Sequence, residues 1–197
     1  MRWGLGLALL FGVRVSFADH YRVPTGSMEP TVQPGDHVCV EKSAYGLRVP
    51  FADRVGGHDG GYVARWSHPS RGEVVVLRSP ETGETLLKRV VAIGGDEVAV
   101  EDGRVRIDGR AVPTHTADDA GVALVEDLGR PHALGVDRGG GPDLAPTRVP
   151  AGKVLVLGDA RGNSHDGRTF GFVDESEILG RARSVCLRGS APTWQPL

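Results

Sequence analysis

A mainly antiparallel β fold carrying loop insertions is the architecture this sequence predicts, on three observations. Short runs of apolar or alternating residues recur along the chain with turn residues between them. Asp-Gly pairs at Asp102-Gly103 and Asp108-Gly109 follow such runs and suit the positive backbone angles of tight hairpin turns. No long amphipathic helical pattern stands out beyond the N-terminus, and no repeat of fixed period suggests a solenoid or propeller.

The first element is apolar. Arg2 precedes Trp3 to Val13, Arg14 intervenes, and Val15-Ser16-Phe17-Ala18 follows. Residues 1–18 therefore read as one short hydrophobic helix, a membrane anchor or a signal-like segment. As a helix, Trp3 to Ala18 covers only about 24 Å at 1.5 Å per residue, a marginal span in which Arg14 must snorkel. A cleaved secretory signal fits equally, because Ser16 and Ala18 put small residues at the cleavage-site positions. A start lying downstream of a longer helix is a third reading. The first two export the rest of the chain.

Residues 19–197 read as one domain with an inserted loop/β region around 101–150. Its strand-like segments are 36–41, 73–78, 85–93, 97–101, 105–107, 153–157 and 180–187. Two stretches richer in Gly, Pro and polar residues, 48–71 and 114–148, read as long loops or insertions.

With 197 residues, 40% of them hydrophobic and 24% charged, the chain can bury a real core. A net charge of -2, without a basic stripe or an aromatic platform, argues against nucleic acid as a partner. Cys39 and Cys186 each lie in a strand-like run and read as two buried thiols, with a disulfide open to them in an oxidising compartment. Their spacing matches no metal site and the histidines form no cluster with them, so no metal is expected.

The segment that carries chemistry is Pro24-Thr25-Gly26-Ser27-Met28-Glu29-Pro30. Two prolines stiffen an irregular loop that can present Ser27 Oγ outward, although an ordinary surface turn has the same composition. Lys88 changes the balance, because it interrupts the apolar run Thr85 to Ile93. An ordinary lysine is a poor base, but lowering its pKa from ~10.4 to about 7.5 requires only roughly 4 kcal/mol against the charged form. An apolar pocket supplies that, and a neutral amine can deprotonate serine. A strand lysine that snorkels to water or pairs with a carboxylate is the alternative.

A third motif follows, Gly158-Asp159-Ala160-Arg161-Gly162-Asn163-Ser164-His165-Asp166-Gly167-Arg168. With the serine loop, the lysine strand and this motif in that order, the chain from about Arg22 to Gly180 resembles bacterial type I signal peptidases. Gly35-Asp36, Arg71-Gly72-Glu73-Val74-Val75 and Gly94-Gly95-Asp96 extend the match.

The resemblance implies a membrane-bound serine endopeptidase with a β core of antiparallel sheets, partly open and barrel-like. It implies a place in the cytoplasmic membrane, single-pass, with the catalytic domain on the outer face, and partners that are membrane lipid and the signal peptides of exported preproteins. Ser27 matches the family's nucleophile, Lys88 its general base, and Ser164 the serine that orients the amine. The Ser27 N–H and the Thr25 hydroxyl fall where the family builds its oxyanion hole, and Thr25 departs mildly from the usual serine. Arg89, Asp159, Asp166 and Arg168 match charged positions that hold the site together. Met28 is a candidate wall of a substrate pocket or else a packing residue. Ala160 replaces a usual asparagine, and no cofactor is required. The expected reaction is acyl transfer, cutting after Ala-X-Ala type sites. A dedicated conjugation-type maturation peptidase of the same fold and a catalytically silent envelope binding protein are the alternatives.

Overall fold

The computed structural model describes residues 18–48, 62–116 and 124–197. The apolar segment at residues 1–17 lies outside them, as do 49–61 and 117–123. Among the described residues no helix is long and apolar enough to cross a membrane.

The chain runs through β1 (Ala18–Arg22), β2 (His37–Glu41), β3 (Gly46–Arg48) and β4 (Tyr62–Arg65) into β5 (Val74–Arg78) and β6 (Thr85–Ile93). An excursion follows through β7 (Glu97–Glu101), β8 (Arg104–Ile107), β9 (Arg110–Ala111), β10 (Thr114–Thr116), β11 (Leu124–Asp127), β12 (Pro131–Leu134) and β13 (Leu144–Arg148). The chain returns as β14 (Lys153–Leu157), one helical turn α1 (Gly167–Phe170), β15 (Val173–Asp174), β16 (Ile178–Arg188) and β17 (Ala191–Pro196).

The principal sheet is antiparallel, in the order β1-β2-β16-β5-β6-β14-β15, with β17 also paired to β16. Both faces of its centre are buried, which is why β5 reads as an unbroken apolar run. Val74 and Val76 join a core with Met28, Val32 and Val38, while Val75 and Leu77 join another with Val90, Val154 and Ile178. A third core, around Val91, Val98, Val105 and Leu155, seats the sheet β13-β7-β8-β9 of the excursion.

The strands expected at 85–93, 97–101 and 153–157 have those bounds, and the others differ by one or two residues. Both Asp-Gly turns have the expected geometry, with φ of 47° at Asp102, 73° at Gly103, 50° at Asp108 and 75° at Gly109.

The insertion around 101–150 is of the β kind rather than a plain loop, since within 114–148 the structure holds β10, β11, β12 and β13. These strands are three to five residues long and largely polar on one side, too short to show a period. Likewise β4, within 48–71, pairs with β3. Ala18 does not end a helix but opens β1, which pairs with β2. Cys39 and Cys186 are not free thiols but a disulfide joining the neighbouring strands β2 and β16, with Cα atoms 5.8 Å apart.

Candidate active site

Ser27 lies on the loop between β1 and β2. The base of this loop is closed by Val23 N–H donating to Asp36 O and Gly35 N–H donating to Val23 O, both at 2.8 Å. The Asp36 carboxylate accepts from Gln33 N–H at 3.0 Å and from the Arg188 guanidinium at 2.8 Å. Beyond Ser27, Met28 and Val32 are fully buried in the valine-rich core. Two apolar anchors thus hold a turn whose serine stays half-buried at a groove. Met28 is fully buried in that core and is not among the residues that line the groove.

Lys88 comes to this serine from β6. It is 3% exposed, and its Nζ lies 2.8 Å from Ser27 Oγ. Burial drives its pKa from the ordinary 10.5 down to about 8. The negative charges of Asp166 and Asp159 work against that fall, and the charge of Arg168 adds to it. Thr25 Oγ1 is 3.5 Å from Ser27 Oγ, and Ser27 N–H has no hydrogen-bond acceptor among the described residues.

The groove has a volume of about 440 Å³ and is lined by Thr25, Ser27 and Lys88 together with Val23, Leu86 and Leu87. Thr85 to Lys88 pair with β5 on one edge, while β14 reaches back only to Arg89. The other edge of this stretch therefore has no strand partner among the described residues, an opening for an extended peptide.

Behind the pair lies a buried ionic frame. Arg89 donates from Nε to Asp159 Oδ1 at 2.8 Å and from a terminal nitrogen to Oδ2 at 2.7 Å, while Thr31 Oγ1 donates to Oδ2 at 2.6 Å. Burial pushes the Asp159 carboxyl up, but the Arg89 charge and hydrogen bonds outweigh it and hold it below the usual carboxylate range. Asp166 balances in the same way, with burial opposed by Arg168 and by the Gly158 N–H. Arg168 meets it at 2.8 and 2.9 Å, and Asp166 also caps α1 through the Arg168 N–H.

Ser164 Oγ is buried close enough to Asp166 to help keep it charged, yet it is not aligned for a hydrogen bond with Asp166 or with Lys88 Nζ. Between Ser164 and the serine loop runs Gly158. A Cβ there would stand 2.3 Å from both Ser27 O and Ser164 Oγ, so only glycine lets these segments close on each other.

Three further residues belong to this frame without having been singled out in the sequence. Arg161 is fully buried and donates to Glu126 Oε2 at 2.6 Å, to Gly158 O at 3.1 Å and to Gly103 O. Glu126 and His132 come from β11 and β12, with His132 Nε2 3.3 Å from Glu126 and 4.0 Å from Asp159. Burial pushes the Glu126 carboxyl up, but His132 and Arg161 prevail and hold it low. Arg161 stands inside the Gly158 to Arg168 motif and could have been suspected as an arginine among small residues. Glu126 and His132 lie in the stretch that reads as a loop and carry no local signal.

The arrangement sets a serine hydroxyl against a desolvated lysine amine, with the Thr25 hydroxyl and the Ser27 N–H beside them. The sequence matches the family described as Signal peptidase, peptidase S26, over residues 2–187. A protein named "Probable signal peptidase I-2" from Synechocystis sp. is 32% identical over 88% of this chain and 65% of its own length. The signal peptidase I of Leptolyngbya laminosa is 29% identical over 91% and 73%, and that of Pseudomonas aeruginosa 30% over 97% and 72%. This chain thus spans about two thirds to three quarters of the length of these relatives. Because the family match spans residues 2–187, a range that takes in the serine loop, the lysine strand and the Gly158 to Arg168 motif, the chain belongs to the peptidase S26 family of signal peptidases.

Proposed function

We propose that this protein is a serine endopeptidase that removes signal peptides from exported preproteins, with Ser27 as nucleophile and Lys88 as general base. The 2.8 Å approach of a buried lysine amine with a pKa of about 8 to a serine hydroxyl carries this reading. Near neutral pH a useful fraction of the amine is unprotonated.

Lys88 Nζ takes the proton from Ser27 Oγ as Oγ bonds to the scissile carbonyl carbon. The Ser27 N–H and the Thr25 hydroxyl stabilise the oxyanion that forms. Lys88 then gives its proton to the departing nitrogen, the C–N bond breaks, and the mature protein leaves with a new amino terminus. The signal peptide stays esterified to Ser27 until a water, deprotonated by Lys88, releases it as a carboxylate. Ser164, the counterpart of the family's orienting serine, would have to turn its Oγ to accept from the lysine ammonium between steps. Arg89, Asp159, Asp166 and Arg168 act through position and field.

The apolar groove favours the hydrophobic, small-residue stretch before the cut, consistent with Ala-X-Ala sites. The apolar segment that precedes β1 holds the enzyme at the cytoplasmic membrane with its catalytic domain on the outer face.

The test is cleavage of a preprotein bearing an Ala-X-Ala site by the detergent-solubilised full chain, with Ser27→Ala and Lys88→Ala alongside and the product N-terminus sequenced. Cutting after the second alanine, lost in both variants, is the expected result. Cleavage that persists in Lys88→Ala overturns the assignment of the base. Failure of folded wild-type protein on several preproteins overturns the general signal peptidase reading in favour of a dedicated substrate.

A further inference from the structure

The groove beside Lys88 accommodates one side of a scissile bond, whereas an endopeptidase must seat both. A second cavity, of about 340 Å³, shares no lining residue with the first. It opens where Glu29 and Pro30 of the serine loop face Ala160 and Asn163, with Leu134 and Val136 of the excursion as its outer wall. Resting on the Ser27–Lys88 reading above, we propose that this cavity receives the first residues after the cut, and that Glu29 makes it select against acidic side chains there.

The cavity adjoins the nucleophile through backbone. Ser27 O accepts the Ala160 N–H at 3.2 Å. A side chain on Gly26, the residue before the nucleophile, would meet Glu29 Oε2 at 2.6 Å and Asn163 Nδ2 at 3.5 Å, so both polar groups converge on Gly26, the chain neighbour of Ser27.

The outer wall is fixed equally firmly. Gly135 bridges Ala160 in parallel, its N–H donating to Asp159 O at 2.9 Å and its carbonyl accepting from Arg161 N–H at 2.8 Å. A Cβ on Gly135 would lie 3.2 Å from Glu29 O, and its absence lets the excursion press against the serine loop. The site is thus built from three segments remote in sequence.

The two sites differ in how their charges are arranged. The groove at Lys88 has Val23, Leu86 and Leu87 in its wall, suited to the apolar side of a signal-peptide junction, with Arg22 and Glu84 of opposite sign also in its lining. The second cavity bears Glu29, Asp137 and Arg138. Asp137 and Arg138 offset each other at 4.0 Å. The Glu29 carboxylate has no ion-pair or hydrogen-bond partner among the described residues and is half-buried. An uncompensated carboxylate beside the leaving nitrogen repels acidic side chains on the mature segment and favours the amine that departs as an ammonium.

The experiment uses the detergent-solubilised full chain and peptides with a constant Ala-X-Ala site whose first two following residues are Lys-Lys, Ala-Ala or Asp-Asp. Wild type is expected to cleave the lysine peptide with kcat/KM about tenfold above the aspartate peptide, a ratio that shrinks as salt is added. Glu29→Gln collapses the ratio to near one and Glu29→Lys inverts it, each ratio being taken within one variant so that any change in its overall rate cancels. An unchanged charge profile in both variants overturns the assignment of this cavity while leaving the Ser27–Lys88 pair standing. If wild type cleaves none of the peptides, the two readings fall together.

Discussion

Replacing Lys88 by methionine should abolish cleavage and at the same time make the protein more stable at neutral pH. The structure holds the amine almost wholly out of water, with a pKa of about 8 against an ordinary 10.5. At ~1.36 kcal/mol per pH unit, that difference is about 3 kcal/mol by which the fold is destabilised when the lysine is charged. The unfolded chain keeps its proton up to pH ~10.4, so between the two pKa values it binds more protons than the folded protein, and wild-type stability rises with pH across that window. Below pH 8 the penalty is present in full. Methionine has similar length, fills the same space and carries no charge.

Denaturant unfolding of both proteins from pH 7 to pH 10 measures the difference. Lys88→Met should exceed wild type by about 3 kcal/mol at pH 7, a Tm increase of roughly 6–12 °C, and by only about 1 kcal/mol at pH 10. The same proton governs rate, so wild-type kcat/KM should climb about tenfold per pH unit below pH 8 and level off above it. Parallel stability curves for the two proteins, or a methionine variant less stable than wild type at pH 7, would refute the argument that burial of a titrating amine activates the serine.

Thr25→Val should lower kcat about a hundredfold or more with KM and melting temperature little changed, as expected on losing an oxyanion donor. An unaltered kcat removes Thr25 from the mechanism. Asp159→Asn leaves the buried Arg89 guanidinium without its countercharge and should cost about 3–5 kcal/mol in unfolding experiments. Because the Asp159 charge raises the Lys88 pKa, the midpoint of the pH–rate profile should move down in whatever folded protein remains. A midpoint that stays or rises contradicts the field assigned to it. Gly158→Ala forces a methyl against Ser27 O and Ser164 Oγ, and should cost about 1–3 kcal/mol and most of the activity. Turnover near the wild-type level would show that the serine loop yields freely.

The strands of the central sheet are legible in the chain because both of their faces are buried, leaving runs such as Val74 to Leu77 and Val154 to Leu157 that no solvent-facing residue interrupts. The Asp-Gly turns are legible because their backbone angles exclude most residues. Strands β10 to β13 are not, since each is short and earns its place by pairing with a neighbour that the local sequence does not reveal. The same limit hid the partner of Cys39, which depends on the register of β2 against β16.

Sequence alone determined the family, the candidate serine and lysine, and the charged motif after Gly158, because residue types and their order are local properties of the chain. Tertiary structure decided what those residues can do. Only packing brings Nζ to 2.8 Å from Oγ and strips the water that would keep the amine protonated. Only packing draws Glu126 and His132 from the inserted region into the frame around Asp159 and buries Met28 in the valine-rich core. Desolvation and long-range register are sums over many distant contacts, and no stretch of sequence carries such a sum within itself.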